Sequence, residues 1–299
     1  MIVIGDIHAK SKEPFRSSIL KFFDSMLFKY SEETVILCGD LFDTSAPHND
    51  IIYEIVYKLL LFKKIYIING NHDNSKIKGS VLLPFSHHDS IEVLNLVTEI
   101  TIENKKCIFI PYAYNNMREE YEGLEGNYDF IFTHITPLEC AFGEEGMDLK
   151  LEGTYIHGHT HIQKDFTDKH DNKHYVLGVP LPTRHLEQNQ DHRILKIDDE
   201  FTFAPVEQYF TYETINFGDE VKDKNNIINV KNAPSVQAVL DKYKGFYIRE
   251  EGIEITYGDG SQQNVVKFDE ESIAKQFVIF CAESNIDDGL KDFSLNYII

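Results

Sequence analysis

Five short blocks constrain this 299-residue chain more than any other feature of it: Gly5-Asp6-Ile7-His8, Gly39-Asp40-Leu41-Phe42-Asp43, Asn69-Gly70-Asn71-His72-Asp73, Thr133-His134 and Gly158-His159-Thr160-His161. Each follows an apolar run of strand length, so its polar side chains emerge where a strand ends and a loop begins. A sheet brings such residues together from distant parts of a sequence. The donors on offer are carboxylate and amide oxygens and imidazole nitrogens, without thiolates. That set suits a borderline-hard divalent cation, manganese first, with magnesium, iron or zinc less well specified. The seven candidate ligands, Asp6, His8, Asp40, Asn71, His134, His159 and His161, exceed what one four- to six-coordinate ion can use. Two ions sharing a carboxylate account for the excess, and Asp40 is the expected bridge.

In this order the blocks resemble the pattern of the calcineurin-like metallophosphoesterase superfamily: Asp-x-His, Gly-Asp-x-x-Asp, Gly-Asn-His-Asp/Glu, His, then Gly-His-x-His. A lone Asp-x-His or His-x-His recurs by chance on surfaces, whereas the ordered set marks a metal site. The resemblance implies that Asp6, His8, Asp40 and His161 hold one ion, and Asp40, Asn71, His134 and His159 the other. It also implies that His72 is not a ligand but faces the substrate phosphate, stabilising the transition state or protonating the leaving oxygen. A side chain that titrates near neutrality suits that task. Asp73 is the expected orienting partner of His72, and Asp43 is as readily a turn cap as a site residue. His157 reads as a strand-end residue beside its motif, not an extra ligand.

Composition narrows the class. A hydrophobic share of 42% with 12% aromatic residues is that of a globular chain. The apolar run of Met1 to Gly5 is too brief for a secretory signal, and no later run approaches the roughly 18 residues of a membrane span. The cysteines, Cys38, Cys107, Cys140 and Cys281, lie far apart, so they read as reduced core residues of a cytoplasmic protein. A formal net charge of −20 counts against a free-standing, high-affinity nucleic-acid binder, since affinity for phosphate backbones comes largely from Lys and Arg. It leaves room for a phosphodiester substrate, because bound cations offset the ligands' own charge and a partner subunit can supply basic surface.

Along the chain, Met1 to Gly5 reads as a buried strand. Pro14 to Tyr30 reads as a helix, with Phe15, Ile19, Phe22, Phe23, Met26 and Leu27 at helical spacing. Thr34 to Gly39 is a second strand, residues 51–60 a second helix and Ile65 to Asn69 a third strand, and this βαβαβ opening implies parallel strands with right-handed crossovers. From Ile91 the runs shorten and follow one another without helices, which fits a second sheet packed on the first. Thr154 to His157, His174 to Gly178, His192 to Ile197 and Phe201 to Val206 continue the series. After residue 206 a small β-α-β unit follows, its helix starting at the N-cap Ser235, and then an amphipathic helix over Asp269 to Ser284.

A narrower resemblance is to the SbcD family, the nuclease subunit of the SbcCD double-strand-end nuclease and its phage counterparts. It rests on Gly39-Asp40-Leu41-Phe42-Asp43-Thr44-Ser45-Ala46-Pro47, on the strand Cys107-Ile108-Phe109-Ile110-Pro111-Tyr112 and on Gly178-Val179-Pro180-Leu181-Pro182-Thr183. Val179 departs from the family's Gly-Ser/Thr-Pro. The resemblance implies an α/β fold: a two-sheet β-sandwich flanked by helices over 1–205, a small α/β capping domain over 206–265, and a helical tail over 266–299. That tail is expected either to dock on an SbcC-like SMC-type ATPase or to pack on its own domain. The implied activity is that of a manganese-dependent DNA exonuclease and endonuclease, as a homodimer. Two alternatives stay open: a stand-alone phosphodiesterase acting on small nucleotides, and a non-catalytic interaction subunit.

Overall fold

Alternation along the opening strands decides the layering. Ile2 and Ile4, Val35 and Leu37, and Ile65 and Ile67 pack on one side of their sheet, whereas Val3, Ile36, Tyr66 and Ile68 pack on the other. With period two along a strand, a sheet that is apolar at every position must be covered on both faces. In the computed structural model, which describes residues 1–75, 79–114, 117–141, 146–256 and 262–264, helices cover one face and a second sheet the other.

The chain divides into two compact units, Met1–Thr211 and Tyr212–Ile299. The first sheet of the first unit runs Phe201–Pro205, Arg193–Ile197, Ile2–Ile4, Thr34–Leu37, Lys64–Ile68, Ile91–Leu94. Its last four strands are mutually parallel, and Arg193–Ile197 runs antiparallel to Ile2–Ile4. Helices α1 (Phe15–Tyr30) and α2 (Asn49–Leu59) lie on its outer side through Ile19, Phe22, Phe23 and Met26, and through Ile51, Ile55 and Leu59, the i, i+3/i+4 stripe of each.

The second sheet runs Lys164–Thr167, Lys173–Val176, Glu152–His157, Asn127–Thr133, Lys105–Ile110, Thr98–Ile102, with the middle four parallel and both edges antiparallel. Cys107, Phe109, Phe130, Phe132 and Ile156 face the first sheet, and Phe109 stacks on Phe132 at 5.0 Å and on Tyr66 at 5.7 Å. Full burial of such a ring contributes about 1.5–3 kcal/mol, so this aromatic layer is a principal bond between the sheets. The alternate residues Ile108, Ile110, Ile131 and Tyr155 pack outward with Tyr121 of the short helix α3 (Arg118–Glu122).

The α/β, two-sheet fold expected from the sequence is thus the fold of the first unit. Elements not anticipated include α3 and the edge strand Lys164–Thr167, whose single phenylalanine gives no alternation to read. In the second unit, Tyr212–Asn216, Ile227–Ala233 and Tyr247–Thr256 form a parallel sheet, extended antiparallel by Gln262–Asn264. Its helix α4 (Val236–Lys242) begins at Ser235, whose hydroxyl accepts the N–H of Ala238 at 3.1 Å. The helix expected over Asp269 to Ser284, and with it the tail over 266–299, lies outside the described residues. Among the described residues, no helix is long and apolar enough to cross a membrane.

Candidate active site

The motif loops all leave the C-terminal ends of parallel strands, so both sheets deliver side chains to the same end of the sandwich. Asp6 and His8 follow Ile2–Ile4, Asp40 follows Thr34–Leu37, and Asn71 and His72 follow Lys64–Ile68. From the other sheet, His134 follows Asn127–Thr133, while His159 and His161 follow Glu152–His157. The packing is tight. A Cβ on Gly39 would strike the His134 ring, and one on Gly70 would strike the Asp40 carboxylate, so the glycines of both motifs are there for close approach. His8, Asp40 and His159 hold positive φ angles of 48°, 47° and 68°, a conformation uncommon for non-glycine residues that here turns the chain sharply at three of the donors.

The seven expected ligands come together as two sets that share Asp40. In the first, the Asp6, His8 and His161 donor atoms lie within 4.8 Å of one another, with His8 Nε2 3.6 Å from Asp40 Oδ2. In the second, Asp40, His134 and His159 do the same, with His134 Nε2 3.4 Å from Asp40 Oδ1 and 3.1 Å from Asn71 Oδ1. His134 Nδ1–H donates to the carbonyl of Cys38 at 2.6 Å, and His161 Nδ1–H donates to Glu187 Oε1 at 2.6 Å. Each bond fixes the tautomer and leaves Nε2 to face the carboxylates.

These residues fit divalent cations. Asp6 Oδ2 is buried without a hydrogen-bond partner, directed at His161 Nε2 3.5 Å away, which is the state of an oxygen that awaits a cation. Electrostatics agree. Burial works to raise Asp40 and Asp6, yet His134 and its neighbouring imidazoles hold both below the ordinary carboxylate value. Burial works to lower His134 and His161, yet the carboxylates beside them push these up to about 10 and about 9. His8 and His159, where burial prevails, fall to about 4 each. Without a cation, protons on His134 and His161 balance the buried carboxylates.

His72 forms a third group of possible donors with His8 and Asp40, their ligand atoms lying within 4.8 Å of one another. Its Nδ1–H donates to the carbonyl of Asp43 at 2.7 Å, and its ring packs edge-on against His8 with centroids 4.8 Å apart. The expectation that Asp73 orients His72 is corrected here. The Asp73 carboxylate is fully buried and accepts the backbone N–H groups of Leu41, Phe42 and Gly70 at 3.2, 3.0 and 3.3 Å. Its task is to tie the second and third motif loops together; the residue that orients His72 is Asp43, through its main chain. Asp43 also places Oδ1 3.6 Å from His8 Nδ1 and 3.4 Å from Lys10 Nζ, beside one of the expected ligands.

Sequence reasoning missed Glu187, the partner of His161. Its other oxygen accepts from Thr183 N at 2.7 Å, Thr183 Oγ1 at 3.0 Å and Arg184 N at 2.9 Å. The only signal was its nearness to the Gly178 to Thr183 segment. His157 takes no part in the ligand sets, as expected: buried, it meets Thr133 Oγ1 through Nδ1 at 2.9 Å and His174 through Nε2 at 2.9 Å. Cys140 departs from the reading of the cysteines as core, being half-buried and lining the cavity beside the site.

Residues 1–163 match the family described as calcineurin-like phosphoesterase. Among solved structures, the chain is similar to the phosphopantetheinyl hydrolase of Mycobacterium tuberculosis, at 13% identity and a TM-score of 0.38 over 60% of this chain and 88% of that one. It is also similar to a novel archaeal phosphodiesterase, at 15% identity and a TM-score of 0.39 over 69% of this chain and 98% of that one. No curated protein matches it.

Proposed function

This chain belongs to the calcineurin-like phosphoesterase family, and from that premise we propose that it is a DNA nuclease that hydrolyses phosphodiester bonds with two divalent ions, manganese being the native metal. The observation that carries the two-ion reading is Asp40, whose two oxygens face different imidazoles, His8 and His134. In this reading Asp6, His8, Asp40 and His161 hold one ion, and Asp40, Asn71, His134 and His159 the other. Such ions supply Lewis acidity toward a water and a phosphoryl oxygen. The chain's own contribution is positional: Glu187 and the Cys38 carbonyl aim His161 and His134, Asp73 locks the loops, and His72 serves the leaving oxygen from outside the ligand sets.

The finer assignment, an SbcD-type exonuclease and endonuclease, rests on the sequence resemblance at residues 39–47, 107–112 and 178–183. An SbcC-like SMC-type ATPase and a second copy of the chain are the proposed partners. The charge of −20 supports a partner that brings the basic surface DNA needs. One observation favours the stand-alone reading instead: the site opens into a cavity of about 660 Å³, a size that accommodates a single nucleotide.

The deciding experiment incubates purified chain with linear and single-stranded DNA, with and without the coiled-coil ATPase, in manganese and in magnesium. Metal-dependent cleavage is expected, abolished by chelation. Turnover of bis-p-nitrophenyl phosphate or cyclic nucleotides with DNA left intact in every arm would move the assignment to a small-nucleotide phosphodiesterase.

A further inference from the structure

The cavity that Asp40, His72 and His161 enter is also lined by Arg184, Leu186 and Ile162. Arg184 differs in its pairing from Arg16, Arg118 and Arg193. Arg16 pairs with Glu54 at 2.8 Å, Arg193 with Asp165 at 2.7 Å and Arg118 with Glu122 at 3.8 Å, whereas the exposed Arg184 guanidinium has no carboxylate partner among the described residues. In a chain with 49 acidic residues against 29 Lys and Arg, a cation without a carboxylate partner among the described residues, beside a phosphoester site, is informative. Lys164 lines the same cavity, but its Nζ donates to the carbonyl of Glu139 at 2.8 Å.

Arg184 is also held in place. Its backbone N–H donates to Glu187 Oε2 at 2.9 Å, and Glu187 Oε1 takes the Nδ1–H of His161 at 2.6 Å. One carboxylate therefore fixes both a metal-site imidazole and the base of the arginine. A guanidinium fork recognises phosphate oxygens bidentately. Beside it, Leu186 and Ile162 are 88% and 61% exposed, large apolar side chains turned to solvent at the same cavity. A ligand that alternates anionic groups with flat apolar rings matches this lining; a simple diester, with one phosphate, leaves Arg184 unused.

We propose that Arg184 is a specificity-determining residue that takes the phosphate next to the scissile one in a single-stranded polynucleotide, whose bases lie against Leu186 and Ile162. The proposal rests on the nuclease reading above, and its test separates the two. The comparison is between the wild-type chain, Arg184→Ala and Arg184→Lys, each with manganese, on a short oligothymidylate and on bis-p-nitrophenyl phosphate. Loss of one charged hydrogen-bond pair lowers the ratio of kcat/KM for oligonucleotide over the simple diester about tenfold in Arg184→Ala, through KM, with partial recovery in Arg184→Lys. The ratio is blind to misfolding, which scales both substrates alike, and a ratio within about twofold of wild type overturns the proposal. If the wild-type chain turns over the diester but leaves the oligonucleotide whole, the nuclease reading fails. Arg184 is then judged by the oligonucleotide as a competitive inhibitor of diester turnover: an inhibition constant about tenfold weaker in Arg184→Ala sustains the phosphate contact, and equal constants or no inhibition overturn it.

Discussion

The bond from His72 Nδ1–H to the carbonyl of Asp43 leaves Nε2 as the nitrogen available for proton transfer, in a ring that also lies within 4.8 Å of the His8 and Asp40 donor atoms. Two roles are open to an imidazole so placed, and they separate cleanly by experiment. As the group that serves the leaving oxygen, His72 replaced by Asn lowers kcat by about 10²–10⁴-fold, the span of general acid catalysis, while bound metal per chain measured by elemental analysis stays at the wild-type value. A parallel loss of metal would make His72 a ligand. The seven donors, and His72 beside them, were legible from the sequence because each sits in a motif whose spacing is fixed by a tight strand-to-loop turn. Glu187 was not, since nothing in its neighbours marks a loop that folds back to meet a ring 26 positions earlier. Asp73 was visible but misread: adjacency to His72 in sequence pointed at the ring, whereas three buried backbone donors compete for the same carboxylate and prevail.

At the scale of elements, the strands that could be read were those covered on both faces, because their apolar runs are continuous. Edge strands such as Lys164–Thr167, half-wet and short, carry no such signal. The same limit hid what the second sheet does with its polar interior. His157, at the end of Glu152–His157, reaches Thr133 on one neighbouring strand and His174 on the other, and His174 Nε2 continues to Asp168 Oδ2 at 3.2 Å. This chain pins together the strand ends from which His134 and His159 emerge. Burial, aided by His174, lowers His157 to about 3 from an ordinary 6.5. The unfolded chain therefore takes up a proton below about pH 6.5 that the folded chain refuses until about pH 3, so the stability this imidazole contributes is present above 6.5 and declines as pH falls through that window. Urea midpoints of metal-free protein are expected to decline from pH 7 to pH 4. The decline is shallower in His157→Gln, which has no ring to protonate, and equal slopes would refute the assignment.

For the first unit as a whole, the expected ligands come from both sheets, so cations held there would fasten the two layers where polar groups replace apolar contact. Asp6, His8, Asp40 and Asn71 leave one sheet and His134, His159 and His161 the other. Without cations, the balancing charges are protons: against the opposing effect of burial, His134 is raised to about 10 by Asp40 and Asp6 and His161 to about 9 by Asp6 and Glu187, so both are protonated at pH 7. A divalent ion needs the same nitrogens deprotonated, and its binding displaces those protons. Manganese titrations followed by calorimetry in buffers of different ionisation heat are accordingly expected to show net proton release at pH 7. Apparent affinity falls by about tenfold per pH unit for each displaced proton as pH is lowered from 8 to 6. Loaded at about 100 times the dissociation constant, the metal adds about 2.7 kcal/mol to the stability of the unit that holds it, an increment that shrinks as pH drops because the protons return. Affinity independent of pH, with no buffer-dependent heat, would mean that these imidazoles are already neutral and that the carboxylates are balanced by other means.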